Sequence, residues 1–351
     1  MERAIKQYFI GNAMQSAVAR WYSKYLAGTT IKRGAVDSGY EIFIIQRFNE
    51  LEDKVYNNDF LSDSSPAVKY YKSKIAEQLR SLRGVNIQSL LNPLMQCITR
   101  FDTATDFRVE LTDQKPVSTK MFVFCTLDGK PFKHTLDLAL TERELLGIDK
   151  DQGITVILRY RAIPQQGNHW GFPRRHFDFL YRELGIRYEG FASSLNSRMK
   201  RYPNCGYCCL FGKEEQAFGG MDDFFKIDLL EHEGNWGINP PFVEDVIFRV
   251  IDTIKDAFSR CRDQGKRLTV VLYLPDWQDV NELIHQIPEY VTDHTFINGD
   301  VDNEFVLEDH EGNVVPGRFN CCYTLFACGY GMSEIIELRK KFVRSLDSLR
   351  P

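Results

Sequence analysis

The sequence predicts an α/β protein with a mainly parallel sheet, preceded by an N-terminal helical module. Residues 1 to about 100 show apolar residues at helical spacing and almost no strand pattern. From about residue 170, helix and strand patterns alternate, as they do when helices cover a parallel sheet. Leu268–Leu274 is a mostly apolar run of strand length, typical of a strand buried on both faces. We therefore expect a helical domain over residues 1–104 and an α/β core over 105–351.

Four helices are predicted in the N-terminal module. The first carries apolar residues at roughly helical spacing from Ile5 to Tyr25, and a second amphipathic pattern runs from Ile42 to Val55. Pro66 follows a Ser-rich loop and suits the first turn of a third helix, which continues through Tyr70–Leu82. Val85–Ile98 is the fourth.

Residues 105–165 are predicted as a strand-rich lead-in to the core. Phe107–Leu111 alternates between apolar and polar residues, and Asp128-Gly129 separates two strand patterns as a hairpin turn does. The apolar run Ile154–Tyr160 is predicted as a further strand.

The remaining elements alternate in type. Helices are predicted over 173–184, 243–261, 282–290 and 332–349, and strands over 188–192, 235–238, 268–274 and 322–327. The helix over 243–261 has the clearest apolar face, which runs from Val243 through Ile247, Val250 and Ile254 to Phe258.

Composition excludes several classes of protein. The chain has 351 residues, of which 43% are hydrophobic and 26% charged, values that exclude a disordered or low-complexity chain. No apolar run has the length of a transmembrane helix, and the N-terminus lacks the apolar centre of a signal peptide, so we expect an intracellular protein. The net charge of −4 argues against non-specific coating of nucleic acid but leaves room for a local basic groove.

The nine cysteines predict reduced thiols. Their number is odd and several are adjacent, which fits free thiols better than a disulfide framework. Cys205 and Cys208 form a CxxC, half of a zinc site, but no second half follows at a suitable spacing. We therefore expect no metal, and buried thiols that pack as small apolar residues.

The segment Asn239-Pro240-Pro241-Phe242 lies between a predicted strand and the strongest predicted helix. In an α/β sheet this is the carboxyl edge, where ligands bind. The prolines stiffen the loop and donate no backbone hydrogen bonds. A rigid turn without chemistry is the alternative interpretation.

These residues suit methyl transfer to the exocyclic amine of adenine. The Asn239 side-chain oxygen and the Pro240 carbonyl are two acceptors for the two N–H groups of the amine. Such bonds favour a tetrahedral nitrogen and the positive charge that develops on it. Phe242 can stack on the base and fix its plane.

A second segment, Gly185–Asn196, is predicted as a strand that ends in a turn of small residues. Nucleotide-like cofactors lie at such strand ends, and here Ser193 and Asn196 would supply hydrogen-bonding groups in place of a glycine loop. The alternative is a turn in which these side chains only satisfy the backbone.

Three segments resemble one family. Tyr188–Asn196 resembles its E-C-F-A-S-P-L-N, Asn239–Asp245 its N-P-P-F-C-E-E, and Val271–Trp277 its V-F-I-P-E-W. The family is the phosphorylated CTD-interacting factor group, cap-specific adenosine N6-methyltransferases that act on the first transcribed nucleotide of mRNA. The resemblance covers about residues 165–330, with Ser194 in place of the family's proline, and implies a Rossmann-like class I methyltransferase core.

The resemblance also implies roles for individual residues. Asn239, Pro240, Pro241 and Phe242 would hold the adenine amine, and S-adenosylmethionine would lie against Phe191, Ala192, Ser193, Asn196 and Asp228. Glu244, Trp277 and Asn320 would contact the capped RNA, with Trp277 lining the cap pocket. Each has a structural alternative: Glu244 can stabilise a helix N-terminus, Trp277 can cover the sheet edge, and Asp228 can be a turn residue.

Further RNA contacts are predicted at Arg174, Arg175 and Arg47. Arg198, Lys200 and Arg201 also flank the predicted cofactor turn and can meet the triphosphate, although a solvated basic face is equally compatible. The helical module is expected to contact RNA or the cap. We expect no WW domain, because no pair of tryptophans precedes residue 100, and hence no support for docking to the RNA polymerase tail. The resemblance favours the nucleus over the cytoplasm.

Two other functions remain open. One is adenine N6-methylation of uncapped RNA or DNA. The other is a non-catalytic RNA-binding protein with a degenerate methyltransferase fold, against which the intact Asn239–Phe242 segment argues.

Overall fold

The computed structural model describes residues 1–350 apart from 30, 32–35, 37–38, 41–42, 45–46, 48–60, 62–64, 81–84, 113–118, 164–169, 233–234, 286, 288, 300–304, 310–311 and 318. The predicted helix over 42–55 lies largely outside the described residues. The chain divides into two compact units, Met1–Gln166 and Gly167–Pro351. None of the described helices is both long and apolar enough to cross a membrane.

The first unit contains helices and a small sheet. Its helices are α1 (Glu2–Tyr25), α2 (Pro66–Leu79), α3 (Gln88–Asp102), α4 (Leu140–Ile148) and α5 (Lys150–Arg161), and its strands are β1 (Thr105–Leu111), β2 (Lys120–Leu127) and β3 (Lys130–Asp137). The strands form an antiparallel sheet in the order β1-β2-β3. Asp128 and Gly129 both have positive φ, as the predicted tight turn between β2 and β3 requires.

Residues 105–161 pack within the first unit, whereas the sequence assigned them to the core. The Phe9 ring of α1 stacks on Phe101 at 5.6 Å and also contacts Phe132 of β3 at 5.5 Å. Gln15 of α1 donates to the carbonyl of Ala162, which follows α5, at 3.0 Å. Helix α1 therefore packs against α3, α5 and the small sheet.

The prediction of a strand over Ile154–Tyr160 is wrong, since these residues belong to α5. The Asp149 side chain caps this helix by accepting from the Gln152 N–H at 3.0 Å. Apolar residues are buried on several sides of the helix. A short, fully buried apolar run has the same pattern in a helix and in a strand, so periodicity does not distinguish them.

The second unit is built on a mixed sheet of six strands. Its elements are α6 (Arg174–Glu183), β4 (Ile186–Ala192), β5 (Gly206–Cys209), β6 (Asn235–Ile238), α7 (Glu244–Asp263), β7 (Leu268–Pro275), α8 (Gln278–His285), β8 (Val291–Ile297), β9 (Val306–Glu308), β10 (Val314–Pro316), β11 (Cys321–Cys328) and α9 (Met332–Ser345). The strand order is β5-β4-β6-β7-β11-β8, and β9 and β10 form a separate antiparallel pair.

Five strands of the large sheet run in one direction and one runs against them. β5, β4, β6 and β7 pair in parallel, and β11 is antiparallel to both β7 and β8, so β8 has the same direction as β7. Because β11 runs against β7, its first residues lie beside the last residues of β7. We call this end of the sheet the carboxyl edge, and the opposite end the amino edge.

Helices cover both faces of the sheet. All eight residues of β7 are buried, as predicted for a strand between two layers. Val270, Leu272 and Leu274 belong to the cluster that contains the apolar face of α7. Val271 and Tyr273 belong to the opposite cluster, with residues of α6 and α9. The core of this unit therefore lies on the two faces of β7 and its neighbours.

Candidate active site

The loop of Asn239–Phe242 connects β6 to α7 at the carboxyl edge, as predicted. Asn239 is half-buried, Pro240 is buried, and Pro241 and Phe242 are exposed. The Val243 N–H donates to the Pro241 carbonyl at 2.7 Å and closes the turn. Among the described residues, neither the Asn239 side chain nor the Pro240 carbonyl makes a hydrogen bond. Both predicted acceptors are thus free to bind a ligand.

An aromatic cluster surrounds Phe242. The Phe242 ring lies edge-on to Phe319 at 5.2 Å and to Trp277 at 6.5 Å. Phe242 and Trp277 keep 37% and 38% of their surface exposed, enough for a planar ligand to stack on either. We call Phe242, Trp277 and Phe319 the aromatic cluster.

Three loops bring this cluster together. Trp277 follows β7, while Phe319 and Asn320 precede β11, and the Asp276 N–H donates to the Asn320 carbonyl at 3.0 Å. The structure therefore places Asn320 and Trp277 at the same edge as Asn239. Sequence reasoning missed Phe319, whose only signal was an aromatic residue two positions before the last strand.

The turn after β4 lies next to this loop because β4 pairs with β6. Phe191 and Ala192 are half-buried at the end of the strand, and the Phe191 ring contacts Phe224 at 4.8 Å. Asn196 Oδ1 accepts from the Ser193 N–H at 2.8 Å and from its hydroxyl at 3.0 Å. The side chains of Ser193 and Asn196 therefore hold the turn together, as in the structural alternative.

Glu189 of β4 is a buried carboxyl that sequence reasoning did not single out. Its Oε2 accepts from the Arg198 N–H at 2.8 Å, the Met199 N–H at 3.0 Å and the Ser197 hydroxyl at 2.5 Å. Burial raises the pKa of this carboxyl, and these three hydrogen bonds oppose the rise. Glu189 fixes the segment after β4 against the strand, which positions both the turn and Arg198.

Asp228 lies far from the loop of Asn239–Phe242. Its carboxylate forms a bidentate ion pair with Arg260, whose hydrogen bonds lower the pKa of Asp228. Helix α7 begins with Glu244 at the carboxyl edge and leads back to the start of β7, so its last turns lie at the amino edge. At 1.5 Å per residue, Arg260 is about 24 Å along the helix from Glu244. This placement supports the structural role of Asp228 and gives no support to its predicted contact with the cofactor.

The predicted substrate residues differ in their exposure and in their hydrogen bonds. Glu244 is exposed in the first turn of α7, and Arg174 is exposed at the first residue of α6. Arg175 instead donates to the Ser348 carbonyl at 2.8 Å and also to the carbonyl of Arg350. Arg47 belongs to the first unit and is buried, which favours a structural role over RNA contact.

The cysteine-rich segment forms the edge strand β5. Burial raises the pKa of the Cys208 and Cys209 thiols, so both stay protonated at neutral pH. In the part of the chain that the structure describes, no group of three or more His, Cys, Asp or Glu residues is arranged to hold a metal ion.

The structure thus defines a mixed α/β protein with a candidate ligand site at the carboxyl edge of its sheet. A family model described as "Phosphorylated CTD interacting factor 1 WW domain" matches residues 150–303. The chain is also 26% identical over 121 residues to the human "mRNA (2'-O-methyladenosine-N(6)-)-methyltransferase", and equally identical over the same length to the mouse protein of that name. Each match covers 34% of this chain and only 15% of the relative.

The family match corrects two expectations. We expected no WW domain, and this is wrong, because the WW domain model matches residues 150–303. The expectation rested on tryptophans before residue 100, whereas the match begins after that point. We also expected no docking to the RNA polymerase tail. This expectation is overturned as well, because it rested on the absence of a WW domain.

Proposed function

We propose that this protein is an S-adenosylmethionine-dependent methyltransferase that methylates N6 of the cap-adjacent adenosine of mRNA. The observation that carries the proposal is the pair of unused acceptors, the Asn239 side chain and the Pro240 carbonyl, beside the exposed Phe242 ring. The partial similarity to the human and mouse mRNA N6-methyltransferases supports it. The second unit would then be a Rossmann-like class I core, consistent with five strands in one direction, one reversed strand, and helices on both faces.

In this proposal Phe242 stacks on the adenine, and the two acceptors bind the amine N–H groups. The cofactor, when bound, supplies an electrophilic methyl group. The acceptors direct the nitrogen lone pair away from the ring and stabilise the positive charge that forms on the nitrogen. No strong base is required, because the proton leaves a cationic nitrogen after transfer. Phe191 and Ala192, half-buried at the end of β4, are the residues against which the cofactor would lie.

The cap would be held by Trp277. An indole face attracts a positively charged 7-methylguanine, and Trp277 lies close enough to Phe242 for both to contact one RNA end. We propose Glu244 and Asn320 as further substrate contacts at the same edge. RNA contact by the N-terminal helical module and a nuclear location are proposals that rest on the resemblance alone.

The decisive experiment is mass spectrometry of RNA incubated with the protein and isotope-labelled cofactor. We expect label on N6 of the first adenosine of a capped RNA, and little label on the same RNA without the cap. Equal labelling of uncapped RNA would replace the cap-specific function with general adenine methylation. No label on any RNA, together with no cofactor binding by calorimetry, would refute the enzymatic proposal.

A further inference from the structure

Two arginines contact one buried carboxylate at the carboxyl edge, and a third lies near them. Glu308 is the last residue of β9. Its Oε1 forms an ion pair with Arg198 Nη2 at 3.2 Å, and its Oε2 accepts from the Arg174 N–H at 2.9 Å. Two backbone hydrogen bonds with Gly171, at 2.8 and 3.0 Å, fix Glu308 in place. The third arginine, Arg201, lies close enough to Arg174, Arg198 and Glu308 for their charges to act on it. We call Arg174, Arg198 and Arg201 the arginine cluster.

The nearby carboxylates do not use all the hydrogen-bond donors of these arginines. Arg198 is buried, and its Nε has no hydrogen-bond partner in the described chain. Arg174 and Arg201 are exposed residues, and among the described residues neither guanidinium group makes a hydrogen bond or an ion pair within 4 Å. Asp178, the other carboxylate that acts on Arg201, already accepts from the Tyr202 hydroxyl.

Desolvation and charge repulsion both act on Arg201. Partial desolvation and the charges of Arg174 and Arg198 lower the pKa of its guanidinium, and Asp178 and Glu308 oppose this effect. A bound anion would relieve this repulsion. The cluster therefore has the charge and the unused donors of an anion site.

The arginine cluster lies at the same edge as the candidate active site. Arg198 and Arg201 follow the turn after β4, and Arg174 begins α6, which leads into the amino end of β4. A row of aromatic contacts joins the two places. Phe172 lies 6.4 Å from Phe305, Phe305 lies 5.4 Å from Phe319, and Phe319 lies 5.2 Å from Phe242. An RNA of a few nucleotides with its adenine on Phe242 would span this distance.

We propose that Arg174, Arg198 and Arg201 bind phosphate groups of the RNA substrate. The proposal rests on the proposed function and names the contacts that hold the RNA beyond its reacting base. Arginine presents paired donors that match the geometry of phosphate oxygens. The phosphates come either from the 5′ triphosphate linkage or from phosphodiesters further along the strand.

The test removes the two exposed charges and leaves the buried one. The variant Arg174→Gln/Arg201→Gln is compared with Arg262→Gln/Arg267→Gln, which removes two exposed charges at the amino edge. RNA binding is measured by fluorescence anisotropy over a range of NaCl concentrations, with capped RNA and with the same RNA carrying a 5′ hydroxyl. Melting temperatures of all proteins confirm that they fold.

We expect the cluster variant to bind capped RNA on the order of 10-fold more weakly, the effect of losing charged hydrogen bonds. The slope of log affinity against log salt should become shallower by about 1.4, since about 0.7 is lost per single-strand phosphate contact. A loss confined to capped RNA assigns the site to the triphosphate, and an equal loss with both RNAs assigns it to phosphodiesters.

Affinity and salt slope equal to those of the control variant would overturn the proposal. Its failure is separable from that of the proposed function. A wild-type protein that binds RNA through the cluster but transfers no methyl group refutes only the activity. A protein that methylates RNA while the cluster variant keeps its salt slope refutes only the phosphate site.

Discussion

Asp228 and Arg260 form a bidentate ion pair, with 2.8 Å between Oδ2 and Nη1 and 2.9 Å between Oδ1 and Nη2. The pair links the segment before β6 to the last turns of α7, at the amino edge of the sheet. Asp228 also accepts from the Leu230 N–H at 3.0 Å and so shapes its own turn. Asp228, to which the resemblance assigned a cofactor contact, thus forms a structural ion pair at the amino edge of the sheet.

We expect Asp228→Asn to lower stability and leave cofactor binding within about twofold. The ion pair is partly exposed, so its loss should cost about 1 kcal/mol or less. Urea unfolding measures the first effect and calorimetry with S-adenosylmethionine the second. Arg260→Gln is the matched variant and should behave alike. A cofactor affinity that collapses in Asp228→Asn but not in Arg260→Gln would restore the predicted contact.

Asn239→Ala is expected to lower the turnover number by about 100-fold or more, because one acceptor for the developing cation is lost. Methyl transfer to capped RNA, measured under saturating cofactor, tests this. Asn92→Ala, on the exposed side of α3, is the control and should leave turnover unchanged. The proposed chemistry fails if Asn239→Ala turns over like the wild type while its melting temperature is also unaltered.

Trp277→Ala is expected to reduce the preference for capped over uncapped RNA by about 10-fold, since stacking on a base contributes about 1–3 kcal/mol. The ratio of kcat/KM for the two RNAs is the measurement. Phe296→Ala removes an exposed ring from the edge strand β8 and serves as the control. An unchanged ratio in Trp277→Ala would leave Trp277 as a cover for the sheet edge.

His176 is expected to make the second unit sensitive to acid. Its Nδ1 bonds the Ser348 hydroxyl at 2.7 Å, its Nε2 bonds the Tyr273 hydroxyl, and complete burial lowers its pKa to about 3. The unfolded chain, with a pKa near 6.5, binds a proton first as pH falls, so stability is lost from about pH 6.5 downward. At pH 4.5 the loss from this group is about 3 kcal/mol.

Urea unfolding at several pH values, in wild type and His176→Asn, isolates this contribution from that of the carboxyl groups. The variant should be less stable at pH 7.5 but should lose less stability on acidification. His285→Asn changes an exposed histidine and should follow the wild-type curve. Parallel curves for wild type and His176→Asn would show that His176 does not titrate as expected.

Local patterns predicted part of the second unit, but they missed β5, β8, β9 and β10, and the helix predicted over 282–290 lies at Gln278–His285. The amphipathic helix after Val243 is present because burial of one face imposes a helical period, and the short strands Leu268–Leu274 and Asn235–Ile238 are present as predicted without such a period. The position of Asn239–Phe242 at the carboxyl edge followed from the order strand, loop, helix. The strand prediction for Ile154–Tyr160 failed because a buried run of seven residues has no diagnostic period.

Local sequence patterns did not predict contacts between segments that are distant along the chain. Phe319 reaches Phe242 only because β11 runs antiparallel to β7, a choice that periodicity does not encode. Among the arginines near the turn after β4, the sequence favoured Arg174 and Arg175. In the structure the Arg175 side chain donates to a carbonyl of the C-terminal segment. Glu308 accepts from the Arg174 N–H and forms an ion pair with Arg198.

The sequence by itself predicted four of the six strands of the large sheet and the edge at which Asn239 and Pro240 lie. These depend on hydrophobic pattern and on the order of neighbouring segments, which are local properties. Only the tertiary structure decided that Asp228 pairs with Arg260 at the amino edge and that Glu308 contacts both Arg174 and Arg198 at the carboxyl edge. Such pairings depend on which strands become neighbours and in which direction they run, and the whole core sets both through packing.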